Sequence, residues 1–389
     1  MYRKKFFWVT LLVFGLILAM VTGCTQPETT TPQDGDEPDG PVAGADVVKV
    51  GMVGPLTGGA ATYGISVRNG AQIAIDEANE NEEIPGVTLE FISEDTEGDW
   101  SKAANAFSKL IEQNKVDVIV GAVLSSETEA GGPIAMSGKV PTISPSSTAT
   151  GLTIGNPYLF RNCLSDEVQA SQLAEYANVE LGFEKFAILY TNNDYGVALK
   201  DAFEETAKEL AEVVAVEAFM DNDENFKPQL TSIQRKDPEA IFVAGYYTEA
   251  AKIAQQALEQ GLEVQFFGAD GFYSPVLMEI GQDAVEGAIF TAGFHSGDES
   301  PVVQNFVNKY RQLFNEEPDM FAAQAYDAAR IVIEAMKSKG TSSEQIREGL
   351  AEIKDFPGIT GNTSIDEEGD TLKDVLILKV EDGVFQRLR

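Results

Sequence analysis

From Val48 onward, short β-branched runs alternate with longer amphipathic ones, and this rhythm narrows the possible folds further than anything else in the sequence. Strands that return in the same direction need a long crossover, usually a helix, so the alternation predicts a parallel sheet flanked by helices. Strands are expected at Val48–Val53, Thr88–Glu94, Val116–Val123, Val140–Ser144, Phe186–Thr191, Val213–Phe219, Ala240–Gly245, Gln265–Gly268 and Gly287–Ala292. In Ser101–Lys115, Ala103, Ala104, Phe107, Leu110 and Ile111 recur at the spacing of one buried helix face, with Ser101 as its cap. Thr341 and Glu344 read as a capping box ahead of Ile346 and Leu350. One cycle of strand and helix fills Val48 to about Cys163 and a second begins after Ser165, so two similar α/β halves are expected. Ligands bind such sheets at the carboxyl ends of the strands, where turns and helix N-termini present free N–H groups.

The segment ahead of this rhythm has another character. Arg3, Lys4 and Lys5 precede the apolar run Phe6–Met20 and then Val21-Thr22-Gly23-Cys24. A basic start, an apolar run short for a bilayer span of about 20 residues and small residues at a cleavage point describe a secretory signal over residues 1–23. A cysteine at the cut resembles the bacterial lipobox. That resemblance implies a lipidated Cys24 that anchors the exported chain to the outer face of the cell membrane or in the periplasm. Residues 24–47 are rich in proline, threonine and acids, with almost nothing to bury, and read as a disordered acidic tether. The remaining length suits two domains. A net charge of −34 repels phosphate backbones and excludes nucleic acid as a partner, while serving solubility. With Cys24 assigned to the anchor, the other of the two cysteines, Cys163, has no partner for a disulfide and reads as a small buried hydrophobe.

The strand-end turns carry the candidate chemistry. Gly54-Pro55-Leu56-Thr57-Gly58-Gly59 leads into a helix holding Tyr63, but Ala60 stands where a phosphate-binding loop needs lysine, so the glycines serve either a ligand or a tight connection. Ser125-Ser126 and Ser144-Pro145-Ser146-Ser147-Thr148 offer hydroxyls and N–H groups, which suit a carboxylate but also suit helix caps. The second half supplies Tyr195, Tyr246 with Tyr247, and Asp270. Together the two sets fit a zwitterion: Ser and Thr donors for its carboxylate, Asp270 for its ammonium and tyrosines for its side chain. The rival role for Asp270 is to cap the helix after Phe272.

These turns, in this order, resemble the type I periplasmic binding proteins of branched-chain amino-acid ABC transporters, the leucine/isoleucine/valine-binding family. The resemblance spans about Val48 to Arg389. It rests on Lys49-Val50-Gly51-Met52-Val53-Gly54-Pro55-Leu56-Thr57-Gly58, Tyr63-Gly64 with Asn69-Gly70-Ala71, Ser125-Ser126, Ile143-Ser144-Pro145-Ser146-Ser147-Thr148, Phe160-Arg161, Asp194-Tyr195-Gly196 and Gly268-Ala269-Asp270-Gly271. It implies two doubly wound parallel-sheet lobes joined by a three-strand hinge: residues 48–164 plus 296–360, and residues 165–295 plus 361–389. It further implies a substrate-binding lipoprotein that closes on a small neutral L-amino acid, with ABC permease subunits and the membrane as partners and no cofactor. Ser125 and Thr148 would hold the α-carboxylate, the Ser146 carbonyl, Thr148 hydroxyl and Asp270 the ammonium, and Tyr63, Tyr195 and Tyr246 the side chain. Leu124 replaces a cysteine of some relatives, and Tyr246-Tyr247 points either to a narrower pocket or to an aromatic or polar ligand. A sensor of an amide or aromatic acid would share every binding residue.

Catalysis finds little support in the residues. His295 is the only histidine, no G-x-S-x-G elbow is present, and no acids show calcium-loop spacing, so neither an enzyme nor a metal site is expected.

Overall fold

The computed structural model describes residues 46–371 and 373–389. The expected signal segment, Cys24 and the tether up to residue 45 lie outside the described residues.

One sheet contains β1 (Asp46–Gly54), β2 (Val87–Asp95), β3 (Val118–Val120), β4 (Thr142–Ser144) and β5 (Leu159–Arg161). Their order is β2-β1-β3-β4-β5, and every pair is parallel. The crossovers are α1 (Ala61–Glu80), α2 (Trp100–Ser108) and α3 (Ser125–Gly138). After α4 (Asp166–Glu175) a second sheet forms from β6 (Lys185–Thr191), β7 (Glu212–Phe219), β8 (Ala240–Ala244), β9 (Gln265–Gly268) and β10 (Ile289–Ala292). These strands are parallel in the order β7-β6-β8-β9-β10, linked through α5 (Asp194–Leu210), α6 (Lys227–Gln234), α7 (Tyr247–Glu259) and α8 (Pro275–Gly281). The chain then returns to the first sheet with α9 (Pro301–Phe314), α10 (Met320–Lys339) and α11 (Ser343–Ala351). A ribbon of β11 (Phe356–Gly358) and β12 (Gly361–Thr363) leads back to the second sheet, where β13 (Leu376–Glu381) and β14 (Val384–Arg387) add an antiparallel edge.

Strands covered by helices on both faces read as unbroken apolar runs rather than alternations. The Val-Ile-Val of β3 and the Ala-Ile-Phe-Val-Ala of β8 are buried at every position. The long helices α1 and α10 cross closely, and Gly70 is what permits it: a β-carbon there would stand 2.0 Å from the Ala322 carbonyl oxygen.

Several details differ from the sequence reading. The cap of α2 is Asp99, whose extended backbone lets Oδ1 accept from Lys102 N–H at 2.9 Å, while Ser101 falls inside the helix. An anionic side chain at this end also meets the positive pole of the helix. The expected helix over Ser101–Lys115 is α-helical only to Ser108 and widens into a π-helical turn over Lys109–Asn114. Ala103, Phe107 and Leu110 are buried as expected, whereas Ala104 and Ile111 are half-buried. The capping box of α11 belongs to Ser342 and Gln345, one residue beyond the pair read from the sequence. Strand β5 and the β13–β14 hairpin had no counterpart in that reading. Cys163 is free and fully buried, as a small core residue should be.

Candidate functional site

In a doubly wound sheet a crevice opens where neighbouring strands send their crossovers to opposite faces. The first sheet has such a point between β1 and β3, and the second between β6 and β8. Turns from both points, and from the ends of β4 and β9, converge on one cavity lined by Tyr63, Ser125, Ser146, Tyr195, Tyr246 and Asp270. Val123, Leu124, Gly271 and Phe321 complete the wall. Only about 10 Å³ among these atoms is open to the centre of a water-sized sphere, so the walls nearly touch and a ligand enters only where they part.

On the first-sheet side, Ser125 opens α3, and its Oγ accepts from the N–H groups of Thr148 and Ala149 at 3.2 and 3.1 Å. The Ser125 hydroxyl hydrogen is thereby left to donate elsewhere. Ser144 organises the adjacent turn: its Oγ donates to Ala122 O at 2.7 Å and accepts from Ser147 N–H at 2.9 Å. The Ser146 hydroxyl donates to Val123 O at 2.8 Å. Thr148 is buried with its hydroxyl unpaired, and it stands behind the cavity wall rather than in its lining. Ser147 is bonded to Thr128 Oγ1 at 2.6 Å and to Ala122 O, which makes it a tie within the turn, and neither it nor the half-buried Ser126 lines the cavity.

Arg161 on β5 holds this turn from behind. Its Nη1 donates to the carbonyls of Thr148 and Ala149, each at 3.0 Å, while its Nε and Nη2 grip the Asp370 carboxylate. Only a planar guanidinium serves a carboxylate and two carbonyls at once.

The second-sheet side is aromatic and acidic. Tyr195 stacks on Tyr246 with ring centres 5.0 Å apart and planes 5° from parallel, and Tyr63 meets Tyr246 edge-on at 5.9 Å. The Tyr195 hydroxyl donates to Asp270 Oδ1 at 2.8 Å and accepts from Gly271 N–H at 2.9 Å. Gly271 has to be glycine here, since a β-carbon would lie 2.6 Å from that hydroxyl and 2.7 Å from Gly245 O. Asp270 does not cap the helix after Phe272; Ser274 does, accepting from Val276 N–H. Burial pushes the Asp270 carboxyl up to about 6, against the pull of hydrogen bonds from Tyr195, Gln169 and Gly271.

The sequence reading missed Phe321, which arrives on α10 from far along the chain, Val123, whose apolar side chain looked like strand core, and Leu124, which it notes only as replacing a cysteine of some relatives. Phe321 carried one usable signal: Asp319, two residues ahead, is a helix cap that accepts from Ala322 N–H at 2.9 Å. His295 lies apart from the cavity, with its ring nitrogen 3.1 Å from Phe385 O.

Two strand-end surfaces facing each other around a small enclosed space, with donors on one and rings and an acid on the other, define a two-lobed binder of small molecules. The chain matches the periplasmic binding protein family over residues 47–384, and it belongs to that family. It is similar to the crystal structure of the branched-chain amino acid transporter substrate-binding protein LivJ from Streptococcus pneumoniae in complex with isoleucine. The identity there is 34%, over 88% of this chain and 98% of that one, with a TM-score of 0.83. It is also similar to the leucine-binding protein LivK from Thermotoga maritima, with 33% identity, the same coverage and a TM-score of 0.82. A curated relative, the leucine-, isoleucine-, valine-, threonine- and alanine-binding protein of Pseudomonas aeruginosa, is 26% identical over 84% of this chain and 87% of its own length.

Proposed function

We propose that this chain is the extracytoplasmic substrate-binding component of an ABC importer and that it captures a small neutral L-amino acid, of the branched-chain type, by hinge closure of two lobes. The observation that carries this reading is the polarity of the cavity. The Ser125 and Ser146 side chains stand on one side, and a carboxyl among tyrosines on the other, an arrangement that suits a zwitterion with an apolar side chain. The leucine and isoleucine named for the relatives support it. In this reading Ser125 and Thr148, with Ser147 tying their turn to Thr128 and Ala122, hold the carboxylate. Ser146 O, the Thr148 hydroxyl and Asp270 take the ammonium, and Tyr63, Tyr195 and Tyr246 surround the side chain. The lobes are residues 48–164 with 296–360 and residues 165–295 with 361–389, and permease subunits receive the closed form. Cys24 carries the lipid anchor on the outer face of the membrane.

A thermal-shift series over neutral amino acids, amides, aromatic acids and sugars tests the ligand class. A ligand bound only by the folded protein at 100 times its Kd stabilises it by about 2.7 kcal/mol, so L-leucine, L-isoleucine or L-valine should raise Tm clearly. A rise with sugars or aromatic acids alone would overturn the reading.

A further inference from the structure

The chain passes between the two sheets after β5, after β10 and after β12, and a second cavity opens between the last two of these passages. Residues 293–298, leaving β10, form one wall, and residues 359–374, approaching β13, form the other. The cavity shares no lining residue with the cleft. About 480 Å³ of it is open to the centre of a water-sized sphere, against about 10 Å³ in the cleft, so this space admits a small molecule without any movement of its walls.

A buried carboxylate fixes the second wall. Asp327 on α10 accepts from Ile359 N–H at 2.9 Å, from Thr360 N–H at 2.8 Å and from the Thr360 hydroxyl at 2.6 Å. That hydroxyl accepts in turn from Lys373 Nζ at 2.6 Å, the one hydrogen bond this ammonium makes among the described residues. An ammonium carries three donors, so two are left, on a side chain that lines the cavity. Lys373 is half-buried and forms no ion pair among the described residues, and burial pulls it down to about 8 against the attraction of Asp327. A cation withdrawn from water with one neutral partner is stabilised when an anion joins it. Arg387 of β14 lines the same space, and its guanidinium makes no hydrogen bond among the described residues.

The rest of the lining selects the kind of anion. Phe294, Val303, Ile359 and Leu376 give the cavity an apolar surface. Asp298 and Asp374 also border it, the former accepting from Ser300 N–H at 2.8 Å. Two acids beside two cations repel any further negative charge on a ligand, whereas a single carboxylate on an apolar body finds a complement for each of its parts. We propose that this cavity is a second ligand site, for a small monocarboxylic acid whose carboxylate pairs with Lys373 and Arg387 and whose apolar body covers Phe294, Val303, Ile359 and Leu376. An acid held there touches both passages at once. The inference goes beyond the amino-acid reading of the cleft and stands or falls without it.

Calorimetry of the full-length protein with isovalerate, benzoate, isovaleramide and inorganic phosphate tests the site. Isovalerate or benzoate should bind, with the uncharged amide and the multivalent phosphate at least about tenfold weaker. Lys373→Met keeps the length of the side chain and removes its charge, and it should weaken the bound acid at least about tenfold. Arg387→Ala alters an exposed residue on the strand at the sheet edge, where folding is not at stake, and should weaken it about two- to fivefold. Ser125→Ala in the cleft should leave the acid's affinity unchanged. Binding of neither acid, or equal binding of isovaleramide, would overturn the proposal. So would an affinity that falls with Ser125→Ala and not with the two cation variants, since the acid would then occupy the cleft. Where Lys373→Met does not fold, Arg387→Ala and the amide decide.

Discussion

At Asp270, hydrogen bonds and burial pull in opposite directions. The Tyr195 phenol and the Gly271 N–H favour its carboxylate, while full burial without a cation disfavours it. A ligand ammonium would resolve that conflict, so Asp270→Asn should weaken L-isoleucine binding by at least about tenfold, equivalent to about 1.4 kcal/mol. The unliganded variant should melt no lower than the wild type, since an amide removes a buried charge without removing volume. Calorimetry and a thermal melt check the two halves; unchanged affinity would leave Asp270 only as an anchor for Tyr195. Much of this site could be read from the sequence, because Tyr63, Ser125, Ser146, Tyr195, Tyr246 and Asp270 all follow apolar strand runs, and strand ends are where such sheets bind. Phe321 could not, because its place depends on a helix returning from the other half of the chain.

At the scale of elements, the turn over residues 144–150 is shaped less by its own sequence than by β5 behind it. Arg161 ties the carbonyls of Thr148 and Ala149 to Asp370, so three segments distant in sequence share one guanidinium. Lysine retains the charge but not the fork, and Arg161→Lys should destabilise the fold by about 1–3 kcal/mol, because buried carbonyls lose their donors. Urea unfolding measures that loss, and calorimetry should show weaker ligand binding as the turn loosens; a variant as stable as the wild type would make Arg161 dispensable. Alternation exposed the longer strands such as β1, β2 and β6, whose boundaries the reading places within two residues for β1 and one for the other two. The Leu-Phe-Arg of β5 is too short to show any period. The closing hairpin was legible in principle: Asp382-Gly383 between apolar runs is a tight-turn signal, and both residues have positive φ, 52° and 72°. The caps slipped because two polar residues near a helix start compete, and only backbone conformation selects one of them.

For the molecule as a whole, charge sets how stability follows pH. Burial raises Glu127 and Asp319 to about 7 and Asp270 to about 6. A carboxyl raised in the folded state contributes stability that is complete below its unfolded value and lost as pH rises through the folded one. With a net charge of −34 adding repulsion in the same direction, melts of the unliganded protein should give a higher Tm near pH 5 than near pH 8, and the reverse order would contradict these protonation states. The two lobes are also joined directly across the cleft. Tyr63 of α1 donates to Gly271 O at 2.5 Å and accepts from Tyr247 N–H at 3.2 Å; Tyr247 bonds Thr62 Oγ1 at 3.1 Å, and Thr248 donates to Gly59 O at 3.1 Å. None of these bonds needs a ligand, so they bias the unliganded protein toward closure. Tyr63→Phe keeps the ring packed against Phe321 but deletes two of them, a net loss of about 1–3 kcal/mol from the closed state alone. Because apparent affinity scales with the fraction of binding-competent protein, L-isoleucine should bind more weakly by about fivefold at the low end of that range and by about a hundredfold at its high end. The scattering radius of the unliganded variant should increase, while saturating ligand restores the compact value. A variant with wild-type affinity and unchanged radius would mean that closure depends on the ligand alone, with the phenol serving only to fill space.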